Sequence, residues 1–226
     1  HFLEEGSTVI CLVRNKEKFE KVKAELFAKK VKIENLHATS CDILDHLSIN
    51  NSIKSVLNEF ERIDVLVNCA GFAHEMPFSI MSQDEISAMI DLNLKSPMLL
   101  SQAVIKPMFK QRSGSIINIS SASTIKKGRG IVAYASAKAG LEAFTRTLAI
   151  ERGRKNVRIN TIRPGIIQTG LSKGVTNLIG DDIKSFTSLN RFGKPQEIAR
   201  LVLFLASEEN ASFITGETIT SDGGIY

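Results

Sequence analysis

Apolar positions along this chain follow two different periods. Runs of five or six residues rich in apolar and β-branched side chains, at 8–13, 63–68, 115–120, 157–162 and 217–221 and more weakly at 36–41, have the length of strands. The longer stretches between them repeat at helical spacing. Phe19, Val22 and Leu26 form one apolar stripe within 15–30, with lysines on the remaining face. Further helices are expected at about 46–62, from 82 to about 112, at 133–151, and from Pro195 to about 207. Ser82-Gln83-Asp84-Glu85 matches a capping box, and Pro195 suits a first helical position. Pro97 and Pro107 are expected to bend the long helix. Residues 1–5 read as the end of a helix closed by Gly6, and 169–188 as a mobile loop with at most a short helix. Strands alternating with helices predict a single α/β domain. Its parallel sheet is covered by helices on both faces and holds ligands at the strands' carboxyl ends.

Composition narrows this picture only a little. The 226 residues, 43% hydrophobic and 23% charged, suit one domain with an adequate core. No apolar run reaches the length of a membrane span. Cys11, Cys41 and Cys69 sit in apolar, strand-like surroundings without metal-ligand spacing, as expected of free thiols in a reducing compartment. The formal charge of +5 is diffuse and suits an anionic cofactor or an acidic partner. Aromatics make up 6% and do not interleave with basic residues, which argues against nucleic acid as a partner.

The chemistry concentrates in two short stretches. Tyr134 and Lys138 are four residues apart in a helical run, so their side chains leave the same face. Ser121 follows the apolar strand 115–120. A hydroxyl at a strand end, with a phenol and an ammonium one helical turn apart, suits reduction of a carbonyl. A free phenol has a pKa of about 10, and a neighbouring ammonium is expected to lower it toward neutrality. Ser121 would hydrogen-bond the carbonyl oxygen and stabilise charge developing there.

Over essentially its whole length the chain resembles the short-chain dehydrogenase/reductase family. The landmarks are Asn68-Cys69-Ala70-Gly71, Asn93, Ser121, Tyr134-x-x-x-Lys138, Pro164-Gly165 with Thr169, and the terminal Asp222-Gly223-Gly224. Residues 189–199, Leu-Asn-Arg-Phe-Gly-Lys-Pro-Gln-Glu-Ile-Ala, look most like the branch that contains 3-oxoacyl-acyl-carrier-protein reductases. The resemblance implies a three-layer, doubly wound, Rossmann-like fold. Two departures stand out. Cys69 replaces the family's second Asn, a change expected to leave the backbone turn intact. The family's first strand and glycine-rich, pyrophosphate-binding turn are missing from the sequence, which reads as N-terminally incomplete. In this fold that strand lies mid-sheet, so its loss is expected to leave ladder groups unpaired and the core open.

What the resemblance implies for individual residues can be stated by number. Lys138 would also hold the nicotinamide ribose, and Asn93 would help hold a water linking Lys138 to solvent. Asp42 matches the residue at the adenine edge; Asn68, Ala70 and Gly71 match the turn beside the adenosine ribose. Pro164, Gly165, Ile167 and Thr169 would line the nicotinamide and pyrophosphate. NAD-dependent enzymes place an acidic residue at the end of the second strand. Here Val13 stands there, followed by Arg14, Asn15 and Lys16. A guanidinium can grip a 2′-phosphate with paired hydrogen bonds, so NADPH is the expected cofactor.

The expected activity is NADPH-dependent reduction of a 3-oxoacyl thioester in fatty-acid synthesis. The alternatives are another carbonyl or alcohol substrate (a quinone, ketone, sugar or steroid) or a non-catalytic subunit of a reductase complex. Basic residues Lys110, Arg112, Lys126, Lys127, Arg129, Arg154 and Lys155 suit an acidic acyl carrier protein, with Arg112 and Lys155 at the family's docking positions. A homotetramer, or an assembly with a related subunit, is expected through the Asn93 helix, the Tyr134 helix and the last strand. Met98, Leu99, Leu100, Val104, Ile105, Met108 and Phe109 would supply part of that contact. The compartment, cytoplasm or mitochondrial matrix, is left open by the sequence.

Overall fold

Where the pattern predicts one sheet, the structure has two. It is a computed structural model that describes residues 1–126, 128–152, 155–170, 172, 182 and 186–225, with Arg152 described through its backbone alone. β1 (Val9–Val13) pairs in parallel with β2 (Leu36–Ser40), Val13 lying opposite Ser40. β3 (Val65–Asn68), β4 (Gly114–Ile119), β5 (Val157–Pro164) and β6 (Thr218–Ser221) form a second parallel sheet in that order. Among the described residues no ladder joins β1 to β3. The parting falls where the resemblance puts the family's first strand. All five side chains of β1, and the first three of β3, are only half-buried although both strands are largely Val, Ile and Leu.

The helices start where side chains satisfy their free N–H groups. Asn15 caps α1 (Lys16–Ala28) and Asp45 caps α2 (His46–Phe60). Ser82 and Glu85 close the capping box of α3 (Gln83–Ile90). At Gly6, with φ of +78°, the N–H groups of Gly6 and Ser7 reach back to Leu3 and Phe2, a helix-closing motif without a full helix before it. The long helix is interrupted just before its first proline, whose missing N–H would otherwise bond the Asn93 carbonyl. A π-helical segment at Asp91–Lys95 separates α3 from α4 (Ser96–Gln111); Pro97 lies in the first turn of α4, and Pro107 is carried inside it. α5 (Val132–Arg152), α6 (Pro195–Ala206) and α7 (Glu208–Ala211) follow.

Ile116 and Ile117, consecutive on β4, point to opposite faces and are both fully buried. Ile116 packs with Ile49 of α2 and with Leu100, Val104 and Met108 of α4; Ile117 packs with Ile162, and with Val202 and Leu205 of α6. Each such side chain contributes about 1.5–3 kcal/mol on burial. A sheet covered on both faces exposes useful backbone only at its strand ends. The parallel direction gathers one end of every strand on the same edge: Arg14, Asp42, Asn68, Ser121, Pro164 and Asp222 all lie at or just past a carboxyl end.

Candidate active site

Alanines build the helix that carries the phenol. The run Ala133-Tyr134-Ala135-Ser136-Ala137-Lys138-Ala139 combines high helix propensity with small side chains, so α5 can approach its neighbours closely. Gly140 extends this: a Cβ there would lie 3.0 Å from Leu94 Cδ2, so α5 rests directly on the π-helical segment. Asn93, at the centre of that segment, is thereby held near Lys138. π-helical turns are rare and concentrate at functional sites, because they turn one side chain out of the regular helical rows.

Tyr134, Lys138 and Asn93 are all buried. The Lys138 ammonium donates to the Ile119 carbonyl at the end of β4, at 2.8 Å, and its Nζ lies 5.9 Å from the centre of the Tyr134 ring. Asn93 donates through Nδ2 to the Phe72 and Met89 carbonyls at 2.9 and 3.0 Å. Its Oδ1 is buried without a hydrogen-bond partner among the described residues. A Cβ built on Gly71 would lie 2.8 Å from that Oδ1 and 3.4 Å from Lys138 Nζ, so both atoms pack close against the bare Cα of this glycine.

Ser121 caps the short turn Ala122–Thr124. Its Oγ accepts from the Ser123 N–H at 3.2 Å, leaving its own O–H free to donate. The hydroxyl lies near the Tyr134 phenol and favours its charged form. Electrostatics differ from the expectation that Lys138 lowers the phenol. Burial pushes the Tyr134 pKa up, and Ser121 only partly opposes that rise. Burial likewise lowers Lys138, to about 8. The physical reason is that desolvation acts on both groups, while the ammonium faces Ile119 rather than the phenol oxygen.

The other candidates divide into two groups. Arg14 is exposed at the end of β1 and makes no ion pair among the described residues. Asn15 lies beside it, but its Oδ1 accepts the Lys18 N–H as the cap of α1. Asp42 is half-buried, and its Oδ1 accepts from Leu44 N–H. Ala70, Gly71, Pro164, Gly165, Ile167 and Thr169 all lie on the same carboxyl-end rim. Gly165 is required by space, since a Cβ would come within 2.7 Å of Asp222 Cα. Asn68 differs. Its amide donates to Asn118 Oδ1 at 2.8 Å and Ser101 Oγ at 3.4 Å inside the protein, so only its backbone can reach a ligand.

Arg112 and Lys155 stand apart from all of these. Both are exposed, but they precede Gly114 of β4 and Val157 of β5, which are register partners at the amino ends of the strands. Ser121 lies at the opposite end of β4. Lys127 and Arg154, and most of the loop 170–188, fall outside the described residues. Of the apolar residues expected at a subunit contact, Leu100, Val104, Ile105 and Met108 are buried in the chain's own core, whereas Met98 is exposed. Sequence reading missed Glu142 and Arg163 beneath Ser121; the one available signal was Glu142 standing four residues after Lys138 on the same helix face.

This geometry can be set beside known proteins. A family model described as enoyl-(acyl carrier protein) reductase matches residues 1–226. The chain is a short-chain dehydrogenase/reductase. It is 37% identical over 226 residues to the 3-oxoacyl-[acyl-carrier-protein] reductase FabG of Thermotoga maritima, covering 99% of this chain and 89% of that one. An acetoacetyl-CoA reductase of Acinetobacter is 38% identical over 188 residues, 82% of this chain and 74% of that one. Among solved structures, a gluconate 5-dehydrogenase from Burkholderia cenocepacia, in complex with NADP and tartrate, superposes with a TM-score of 0.90. It is 25% identical, with 98% of this chain and 86% of that one covered. Within this family, the short-chain reductase has its phenol, ammonium and serine hydroxyl on the carboxyl-end rim. No helix among its described residues is long and apolar enough to cross a membrane.

Proposed function

We propose that the protein reduces 3-oxoacyl thioesters, carried on an acyl carrier protein, to 3-hydroxyacyl thioesters with NADPH in fatty-acid synthesis. The observation that carries this is the convergence of Ser121, Tyr134 and Lys138 at one strand end, in a chain similar over its length to a 3-oxoacyl reductase. The residues fit a nicotinamide dinucleotide. The bare Cα of Gly71, where a side chain would crowd Asn93 and Lys138, follows the carboxyl end of β3, and the exposed Arg14 follows that of β1. When bound, NADPH supplies the hydride for the carbonyl carbon.

The chain's own residues handle the oxygen. Ser121 donates a hydrogen bond to the carbonyl oxygen, orienting it and stabilising the charge it gains. Tyr134 gives that oxygen its proton. The raised phenol pKa keeps the proton in place until the oxygen becomes basic enough to take it. Lys138 holds positive charge beside the phenol while Tyr134 is transiently deprotonated. A water between Asn93 Oδ1 and the ammonium would return a proton. Arg14 would grip the 2′-phosphate that distinguishes NADPH from NADH.

A carrier docked on Arg112 and Lys155 would be separated from Ser121 by the length of β4, six residues or about 20 Å at about 3.3 Å per residue. The acyl group must therefore reach the site on a flexible arm, or enter that of a neighbouring copy in the proposed tetramer. Acidic carriers suit such a basic surface.

The test is turnover of NADPH with acetoacetyl thioesters of carrier protein and of coenzyme A, with crotonyl thioesters, and with free ketones and sugars. Preference for the 3-oxoacyl thioesters supports the proposal. Turnover of crotonyl thioester alone would make the protein an enoyl reductase, and turnover of free ketone or sugar alone would remove the fatty-acid reading.

A further inference from the structure

Beneath Ser121 lies a buried carboxylate that the proposed chemistry does not use. Glu142 stands one helical turn beyond Lys138 and two beyond Tyr134, so all three leave the same face of α5. It is 5% exposed. Its Oε1 accepts from Ser120 Oγ at 2.6 Å, from Thr124 Oγ1 at 2.9 Å and from Arg163 Nε at 3.0 Å. Its Oε2 accepts from Arg163 Nη2 at 2.5 Å. Ser120 precedes Ser121, and Thr124 lies three residues after it. Thr124 Oγ1 also lies 3.0 Å from the Ser121 carbonyl, so its one proton is shared between that oxygen and the carboxylate. Arg163, on β5, reaches across to Thr220 Oγ1 of β6 at 3.0 Å. One carboxylate on the Tyr134 helix therefore holds both flanks of the Ser121 turn, and a guanidinium fixes that carboxylate to the next two strands.

We infer that Glu142, held by Arg163, is a positioning residue that sets the Ser121 hydroxyl against the Tyr134 phenol. The inference rests on the proposed roles of Ser121 and Tyr134. Without Glu142 the turn Ala122–Thr124 would still be anchored by its backbone, through Thr124 N–H to the Ser121 carbonyl. It would have no side-chain tie to α5 through this carboxylate. Burial works against the Glu142 charge, but the hydrogen bonds from Arg163, Ser120 and Thr124 outweigh it and hold the pKa below its usual value. A displacement of about 1 Å between reacting groups can cost on the order of a hundredfold in rate. That sensitivity makes a clamp of this kind matter to chemistry more than to binding.

The experiment is a double-mutant cycle of Glu142→Gln and Ser121→Ala, read as kcat and KM for an acetoacetyl thioester and as NADPH affinity by fluorescence. Gln keeps the shape but turns an N–H donor toward other donors. Glu142→Gln is expected to lower kcat by roughly tenfold to a hundredfold, with KM and NADPH affinity within about twofold of wild type. Added to Ser121→Ala it is expected to cost little more, because both changes remove the same contact. Thr124→Val, which leaves the ion pair intact, is expected to give a smaller loss of the same kind and serves if Glu142→Gln does not fold. Fully additive losses, a matching fall in NADPH affinity, or wild-type kcat in both Glu142→Gln and Thr124→Val would overturn the inference while leaving the reductase reading intact. Full activity of Ser121→Ala would overturn both.

Discussion

Asn93 Oδ1 and Lys138 Nζ converge on the bare Cα of Gly71: a Cβ there would lie 2.8 Å from the first and 3.4 Å from the second. Neither side chain can retreat easily. Asn93 is tied to the Phe72 and Met89 carbonyls, and Lys138 to that of Ile119. Gly71→Ala is therefore expected to displace the asparagine oxygen and crowd the ammonium. Turnover should fall by roughly ten- to a hundredfold with circular dichroism unchanged. Wild-type turnover would mean that the placing of these two side chains by Gly71 has no part in the reaction.

Lys138 gives a pH signature. Its folded pKa, about 8, lies below the ordinary lysine value of 10.5. Between those values the unfolded chain holds more protons than the folded one, so the lysine's contribution to stability rises with pH in that window. Below pH 8 its burial costs up to about 3 kcal/mol, from the size of the shift. Relative to wild type, Lys138→Met is expected to be most stable near pH 7 and to lose that advantage by about pH 10.5. Urea unfolding of both proteins across this range measures the difference, and a pH-independent gap would contradict it.

Arg14 should decide between cofactors. It is exposed at the end of β1, where no acidic residue stands to hold the adenosine ribose. A hydrogen bond to a charged group contributes about 1.5–3 kcal/mol. Arg14→Ala is accordingly expected to reduce the ratio of kcat/KM for NADPH over NADH by roughly ten- to a hundredfold. An unchanged ratio would place the 2′-phosphate elsewhere.

Arg158 tests stability apart from chemistry. It is 7% exposed at the amino end of β5 and donates to the carbonyls of Leu205, Ala206 and Ser207 at the end of α6. Arg158→Met removes these three bonds, leaving the Leu205 carbonyl only Ser115 Oγ, and is expected to cost about 2–4 kcal/mol in urea unfolding. Turnover per folded molecule should stay within about twofold, because Ser121 and Tyr134 lie at the other end of the strands.

Local signals were legible in the sequence because their physics is local. The Ser82–Glu85 box, the Gly6 turn and the shared face of Tyr134 and Lys138 depend on residues within a few positions of one another, and each is present. Features set by tertiary packing were not legible. The proline pattern pointed to 97 and 107; the interruption is the π-helical segment around Asn93, four residues before Pro97, while Pro107 is carried inside α4. Lysine spacing alone suggested a lowered phenol, yet burial governs its direction. Glu142 and Arg163 are 21 residues apart on different elements, so their pairing appears only in three dimensions.

The central claim is that Tyr134 supplies the proton for an NADPH-dependent carbonyl reduction. The most direct measurement is NADPH oxidation with acetoacetyl-acyl carrier protein by the wild type and Tyr134→Phe, with cofactor affinity measured on both. The expected result is turnover in the wild type and a loss of at least about a hundredfold in Tyr134→Phe, with NADPH affinity nearly the same. Equal turnover by the two proteins, or no NADPH binding by the wild type, would contradict the account.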